Sequence, residues 1–188
     1  MKALHPKHAI LPAILIAAIA LILLSTKVNS GYASSKSAAN HIKEIKSINQ
    51  ALSLSSKFPE EIQYWKTLIE ENAQVTGLDP NLIGALILQE SGGQSQIMST
   101  SGAVGLMQVM PRDGIANQFM CINGPCFKDR PTIAELKDPD FNIQYGTRYL
   151  SGLINKTGNI RDALKTYGPA GVDYYYADIV LTLLDQYK

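Results

Sequence analysis

The sequence predicts a mainly α-helical domain, and three observations support that class. After residue 60 apolar residues recur mostly at intervals of three and four, which is the period of an amphipathic helix. Typical helix-ending and helix-starting residues divide these stretches, such as Gly77 and the pair Asp79-Pro80. Alternation with period two is scarce, so we expect a small β-hairpin only near Gly102 to Val109.

The first 33 residues are interpreted as a targeting segment. Lys2 and Lys7 precede an apolar run from Ala9 to Leu24, which is typical of a signal peptide or an N-terminal membrane anchor. At 16 residues the run is long for a signal and short for a membrane span. We favour a cleaved signal ending at Ala33 over a membrane tether through residues 9–24. Both alternatives place the remainder outside the cytoplasm, in the periplasmic or cell-wall space.

Residues 34–59 are expected to form a linker that contains one amphipathic helix. After a small, polar opening, apolar residues recur at helical spacing: Ile42, Ile45, Ile48 and Leu52. This helix could pack on the domain, on a partner or on a membrane surface, or act as a simple spacer. The sequence does not identify a partner protein.

Residues 60–188 are expected to form one compact domain. The apolar face of its first helix comprises Ile62, Trp65, Leu68, Ile69 and Ala73. The next helix, from Leu82 to Glu90, is apolar around most of its circumference, which indicates a central position. Further helices are predicted at Ile133–Leu136, Phe141–Ile154, Ile160–Tyr167 and Tyr174–Tyr187.

Charge is distributed unevenly along the chain. Before Pro59 there are seven Lys or Arg residues and one acidic residue, whereas from Glu60 onward there are ten and fifteen. The compact domain is therefore acidic. Because non-specific nucleic-acid binding needs a cationic surface, we exclude nucleic acid as a partner.

Two cysteines, Cys121 and Cys126, lie in the segment CINGPC. Outside the cytoplasm a short-loop disulfide is the leading interpretation, and a pair of free thiols is the alternative. A metal site is not expected, since no histidine follows His41 and no second cysteine pair exists.

Glu90 is the leading candidate for a catalytic group. It ends an apolar helix and is followed by Ser91 and a Gly-Gly pair, which leaves backbone space beside the carboxylate. Partial burial favours the protonated form and raises the pKa toward neutrality, as a general acid requires. The alternative is a surface glutamate where the helix emerges.

The tetrapeptide Gly105-Leu106-Met107-Gln108 is the second candidate feature. Glycine allows close approach of the backbone to a ligand, Leu106 and Met107 offer an apolar wall, and Gln108 offers a donor and an acceptor. Such a surface suits a sugar carrying acetamido groups. Taken alone, a packed turn is an equally good interpretation.

Together these motifs resemble the lytic transglycosylase domain of the soluble type, a family that shares a lysozyme-like fold with goose-type lysozymes. The resemblance begins with Glu90-Ser91 and with Gly105 to Gln108 followed by Met110-Pro111. It continues through Asp138-Pro139 and Asn142-Ile143 to Ala163-Leu164 and Tyr167, and it covers about residues 61–185. It implies a mainly α, lysozyme-like domain with a small hairpin beside an active-site cleft.

The resemblance also implies a reaction on peptidoglycan glycan strands. The bond cleaved is the β-1,4 link between N-acetylmuramic acid and N-acetylglucosamine. Glu90 would protonate the glycosidic oxygen and then, as a base, draw a proton from the muramic acid C6 hydroxyl, which closes an anhydro ring. Ser91, Gly105 to Gln108 and Tyr167 match family positions in the substrate cleft, where the Tyr167 hydroxyl can orient the carboxylate or stabilise developing charge. No cofactor is implied.

The chain departs from the family pattern at one position. The family motif Ala-Tyr-Asn is replaced by Thr166-Tyr167-Gly168, so the asparagine side chain is absent. The insertion that carries both cysteines also lies beside the cleft region. These differences concern substrate preference more than the reaction.

Two alternatives to this function remain. A lysozyme-type muramidase would hydrolyse the same bond with a second carboxylate, for which Asp113 and Asp173 are candidates. Their simpler interpretations are a turn residue and a helix N-cap. A non-catalytic wall-binding or assembly protein is the other alternative, against which Glu90 argues, because a partly buried carboxylate is costly without a use. The run Tyr174 to Tyr176 is interpreted as core and surface residues.

Overall fold

The computed structural model describes Asn40, Lys43 and residues 53–188. The expected leader and tether lie outside the described residues, and so do Ile42, Ile45, Ile48 and Leu52 of the expected linker helix. The chain divides into two units, residues 1–43 and 44–188, and the account below concerns the second. In the described part, no helix combines the length and apolarity that crossing a bilayer requires.

Residues 53–188 are mostly helical. In chain order the helices are α1 (Glu60–Gln63), α2 (Lys66–Thr76), α3 (Pro80–Ser91), α4 (Ile133–Leu136), α5 (Pro139–Thr157), α6 (Ile160–Tyr167) and α7 (Tyr175–Tyr187). A 3₁₀ helix covers Gly114–Gln118, and strands β1 (Met120–Cys121) and β2 (Gly124–Pro125) form an antiparallel hairpin. The mainly α class with one small hairpin is confirmed.

The predicted helix boundaries are set by local chemistry. The Asp79 side chain accepts a hydrogen bond from the backbone N–H of Asn81 at 2.8 Å, which caps α3, and Pro80 follows in the first turn. Gly77 ends α2 in the left-handed region, at a φ of 73°. The helix expected from Glu60 onward is divided in two at Tyr64 and Trp65, where the Trp65 N–H bonds to the carbonyl of Ile62, three residues back, at 3.0 Å.

Helix α3 occupies the centre of the domain. Residues 80–87 are all buried, and α3 packs against α2 and α7, while α5 packs against α2 and α6. The core also includes Leu54 and Phe58, which are 2% and 3% exposed. Gly84 of α3 allows this contact, because a Cβ there would lie 2.8 Å from Leu54 Cδ1. The core therefore begins upstream of Glu60, the expected start of the domain.

The hairpin forms at a different place from the expected one. Residues 102–109 contain only isolated bridges, from Val104 to Met98 and to Val109, and the paired strands lie at 120–125. Cys121 and Cys126 are joined by a disulfide with a Cα–Cα distance of 5.0 Å, which holds the two strands together. Residues 102–107 are instead buried in the core, and their backbone forms hydrogen bonds with side chains of α3, α5 and α6.

Candidate active site

Glu90 lies in the last turn of α3, which Gly92 terminates at a φ of 59°. Its carboxyl group is half-buried, and burial raises its pKa to about 7. The hydroxyl of Tyr176, on α7, donates a hydrogen bond to Oε1 and opposes part of that rise. The group can therefore exist in both protonation states near neutral pH, which is what a residue acting as acid and then base requires.

Tyr176 is the partner that the sequence did not identify. It is 6% exposed, and burial together with the nearby Glu90 charge raises its pKa, so the hydroxyl remains a donor. Its neighbour Tyr175 is 72% exposed. One signal could have distinguished them, since Tyr176 and Val180 lie four residues apart on the buried stripe of α7.

The segment Gly105 to Gln108 lies close to the end of α3. Leu106 and Met107 are 0% exposed, so their side chains support the segment from behind and are not open to a ligand. Gln108 is half-buried, adopts a left-handed φ of 44°, and donates from Nε2 to the Gly105 carbonyl at 3.0 Å. Since Gly105 is buried as well, the segment offers Gln108 to a ligand, rather than an apolar wall.

Asn142 of α5 holds this segment in place. It is fully buried and donates from Nδ2 to the carbonyls of Val104 and Leu136, both at 2.9 Å. Its Oδ1 accepts from the Met107 N–H at 2.8 Å. A Cβ on Gly105 would overlap the Asn142 amide, and the φ of Gly105 is 78°, so glycine is required there.

Ser91 connects the helix to the same segment. Its buried hydroxyl donates to the Leu106 carbonyl at 2.8 Å and accepts from the Gly93 N–H at 3.2 Å. The hydroxyl also lies 3.1 Å from the carbonyl oxygen of Ile87. The hydrogen bonds of this hydroxyl are therefore made within the protein, and Ser91 fixes the position of the segment beside Glu90.

Tyr167, at the end of α6, also bonds to the segment and not to the carboxylate. Its hydroxyl donates to the Met107 carbonyl at 2.8 Å. Burial, and then the charge of Glu90, raises its pKa well above the ordinary value. Tyr167 and Tyr176 therefore have different partners: Tyr167 holds the loop, and Tyr176 holds the glutamate.

Gly168 occupies the place of the asparagine in the family motif. Its φ of −70° suits any residue, so the backbone does not require glycine. A Cβ at this position would, however, overlap the ring of Tyr176. The missing side chain gives space to the tyrosine that bonds to Glu90.

The two alternative carboxylates are engaged elsewhere. Asp113 Oδ1 accepts from the Ile133 N–H at 2.8 Å, at the start of α4. Asp173 forms an ion pair with Lys165 and has a 74% exposed side chain. It is not the expected N-cap of α7, because Tyr174 takes that position without a side-chain cap. Within the described residues, no three His, Cys, Asp or Glu side chains group as a metal site would need.

Comparison with known proteins identifies the class to which this domain belongs. The family model described as the Transglycosylase SLT domain matches residues 67–172, which is more than half of the chain. The chain belongs to this family. The matched range contains Glu90, the Gly105 to Gln108 segment and Tyr167, and it ends before Tyr176.

Individual relatives support the same membership. An endo-type membrane-bound lytic murein transglycosylase A of Klebsiella pneumoniae is 40% identical over 91 residues, which are 48% of this chain and 43% of that protein. A membrane-bound lytic murein transglycosylase E of Buchnera aphidicola is 37% identical over 101 residues, which are 54% of this chain and 44% of that protein. The chain thus spans less than half the length of these curated relatives.

A solved structure is also similar. The lytic transglycosylase Slt of Pseudomonas aeruginosa aligns with 64% of this chain and 21% of that one, at 24% identity and a TM-score of 0.43.

Proposed function

We propose that this chain is a peptidoglycan lytic transglycosylase that cleaves the β-1,4 bond between N-acetylmuramic acid and N-acetylglucosamine. Family membership and the names of the relatives support this reaction. The observation that carries the proposal is Glu90, a half-buried carboxyl group with a pKa of about 7 beside the segment matching the family motif. A glutamate in this state suits both halves of the reaction.

In the first half, protonated Glu90 donates its proton to the glycosidic oxygen. The bond between that oxygen and muramic acid C1 breaks, and N-acetylglucosamine leaves with a new hydroxyl group. Burial favours the protonated acid before this step. After it, the hydrogen bond from the Tyr176 hydroxyl stabilises the carboxylate.

In the second half, the Glu90 carboxylate takes the proton of the muramic acid C6 hydroxyl. The C6 oxygen bonds to C1 and closes the anhydro ring, and Glu90 is protonated again. No water is consumed, so the fragments together have the mass of the starting strand. One carboxyl group is sufficient, unlike the pair that most glycosidases use.

Substrate contacts are assigned to the elements around Glu90. We place an acetamido group against Gln108, because the other three residues of this segment are buried. Ser91 and Tyr167 act through the same segment, which they hold by hydrogen bonds to Leu106 and Met107.

The location proposed is outside the cytoplasm, where peptidoglycan lies. The relatives are named as membrane-bound, and a disulfide between Cys121 and Cys126 suits an oxidising compartment. The apolar residues 9–24 provide either the export signal or the tether.

The test is a digest of purified peptidoglycan by the full chain, with Glu90→Gln in parallel and mass spectrometry of the products. We expect muropeptides ending in anhydro-muramic acid from the wild type and none from the variant. Reducing ends, one water heavier, would identify a hydrolase. Binding to the wall without release of fragments would identify a non-catalytic protein.

A further inference from the structure

Arg130 follows the disulfide hairpin and precedes α4. Its guanidinium group stacks on the ring of Tyr149, with Cζ 4.0 Å from the ring centroid. The rings of Phe127 and Tyr145 lie farther away, each at 5.9 Å. Aromatic contacts therefore hold one face of a half-buried cation in a defined orientation.

The edge of this guanidinium group has no acceptor in the described part of the chain. Between residues 53 and 188 no carboxylate lies within ion-pair distance of Arg130, and its side chain donates no hydrogen bond there. A guanidinium carries five N–H donors in a planar fork that matches a carboxylate. An oriented fork without an acceptor is suited to bind an anionic group from outside.

A second arginine shows what the completed arrangement looks like. Arg161 stacks on the ring of Tyr174 with the same 4.0 Å separation. Its fork is filled by Asp178, with Nε–Oδ1 at 2.7 Å and Nη2–Oδ2 at 2.9 Å. The two arginines therefore have the same aromatic support, but only Arg161 has a carboxylate from the protein.

The open fork lies beside the candidate active site. The ring of Tyr149 contacts that of Tyr167, with centroids 5.5 Å apart, and the Tyr167 hydroxyl bonds to the Met107 carbonyl. The charges of both Glu90 and Arg130 influence the Tyr167 hydroxyl. Arg130 and Glu90 therefore both lie near Tyr167, so the fork is a neighbour of the site at which a ligand would meet Glu90.

We propose that Arg130 binds a carboxylate of the peptide stem that muramic acid carries. This inference rests on the proposed function, because it takes peptidoglycan as the ligand. Both sugars are uncharged when the lactyl group is joined to a stem, so the stem supplies the carboxylates. The contact makes Arg130 a determinant of substrate choice, favouring strands with acidic stems.

The test measures binding, so that it does not depend on turnover. Soluble glycan strands with tetrapeptide stems are titrated into the full chain carrying Glu90→Gln, before and after their carboxylates are converted to N-methylamides. Arg130→Gln and Arg130→Lys are added to this background. Arg161→Gln is the matched control, because it removes the same group from the other tyrosine.

We expect Arg130→Gln to raise the Kd for acidic strands about tenfold, the effect of losing one charge-assisted contact. The Kd of Arg130→Lys should lie between those of the parent and of Arg130→Gln, since lysine keeps the charge without the planar set of N–H donors. On amidated strands all the proteins should bind equally, at the Kd that Arg130→Gln shows with acidic strands. Arg161→Gln should match its parent on both ligands.

Two results would overturn the inference. One is an unchanged Kd for acidic strands in Arg130→Gln, and the other is an equal loss on acidic and amidated strands. Unfolding midpoints of each variant separate lost binding from lost folding. Failure of the proposed function is seen separately, as the absence of anhydro products from the wild type, and leaves this binding comparison valid.

Discussion

Glu70 and Glu90 are half-buried glutamates on neighbouring helices, and their pKa values shift in opposite directions. Burial favours the protonated form of both. At Glu70 this effect is outweighed, because Oε1 accepts hydrogen bonds from Ser53 Oγ at 2.8 Å and the Leu54 N–H at 2.9 Å, with Lys66 Nζ at 3.4 Å. The pKa of Glu70 is therefore lowered, whereas that of Glu90 rises to about 7.

The comparison shows that burial alone does not decide the state of a carboxyl group. At Glu70 two hydrogen bonds and a cation outweigh the effect of burial, whereas at Glu90 burial outweighs the one hydrogen bond that a described side chain donates, from the Tyr176 hydroxyl. Glu70 is arranged to be stable as an anion. Glu90 is arranged to exchange a proton, at a cost to the stability of the folded protein.

The largest expected difference between the two glutamates is in activity. Glu90→Gln should lower the rate of anhydro-muropeptide release by about 10²- to 10⁴-fold, because glutamine cannot transfer the proton. Glu70→Gln should stay within about twofold of the wild type, as its carboxylate contacts only the protein. Initial rates by chromatography and mass spectrometry check this, and comparable losses in both variants would refute the distinction.

The second expected difference is in stability against pH. The pKa of Glu90 is about 7 in the folded protein, against an ordinary value of 4.5. The stability that its protonated form contributes is therefore fully present below pH 4.5. It is lost by about pH 7 and amounts to about 3 kcal/mol. Relative to the wild type, Glu90→Gln should therefore gain free energy of unfolding between pH 4 and pH 8.

Glu70→Gln should behave in the opposite way. Its lowered pKa stabilises the folded protein above the unfolded value, and this stability is lost as the pH falls through the folded pKa. The variant should be less stable than the wild type at pH 8 and closer to it at acidic pH. Urea unfolding at pH 8 and at acidic pH tests Glu70→Gln and Glu90→Gln against the wild type. If the stability of all three proteins changes by the same amount between these pH values, the assigned pKa directions are wrong.

Gly168→Ala should disturb Glu90 through its partner. The added methyl group overlaps the Tyr176 ring, so we expect a loss of about 1–3 kcal/mol in the free energy of unfolding. The alkaline limb of the rate–pH profile should also move to higher pH as the hydrogen bond weakens. Gly152→Ala is the control, because nothing outside its own helix backbone and chain neighbours lies within 4 Å of its added Cβ, and alanine in a helix should stabilise it slightly. A Gly168→Ala variant as stable as the wild type would show that the contact is unimportant.

Tyr176→Phe should give the smallest effect, seen chiefly as a shift of the pH profile. The hydroxyl lowers the pKa of Glu90, so its removal should raise that pKa and move the alkaline limb of kcat/KM upward. Tyr167→Phe serves as the comparison, since its hydroxyl bonds to the Met107 carbonyl and not to Glu90. A limb that stays in place, or moves down, would be inconsistent with the hydrogen bond described.

Much of the fold was predictable because its signals are local. The Asp79 cap, the Gly77 terminus and the apolar circumference of α3 depend on residues within a few positions of one another. The disulfide between Cys121 and Cys126 joins residues only five apart. The hairpin was predicted at the wrong place, because the apolar residues near Val104 are buried in the core and do not form a pair of strands.

The sequence by itself determined the helical class, the order of the helices and the position of Glu90 at the end of the most buried one. Only the tertiary structure decided what surrounds that carboxyl group. Tyr176 lies 86 residues away from Glu90, and Asn142 reaches Met107 from 35 residues away. Such pairs depend on how α3, α5 and α7 pack, and helical periodicity specifies a buried face without specifying its partner.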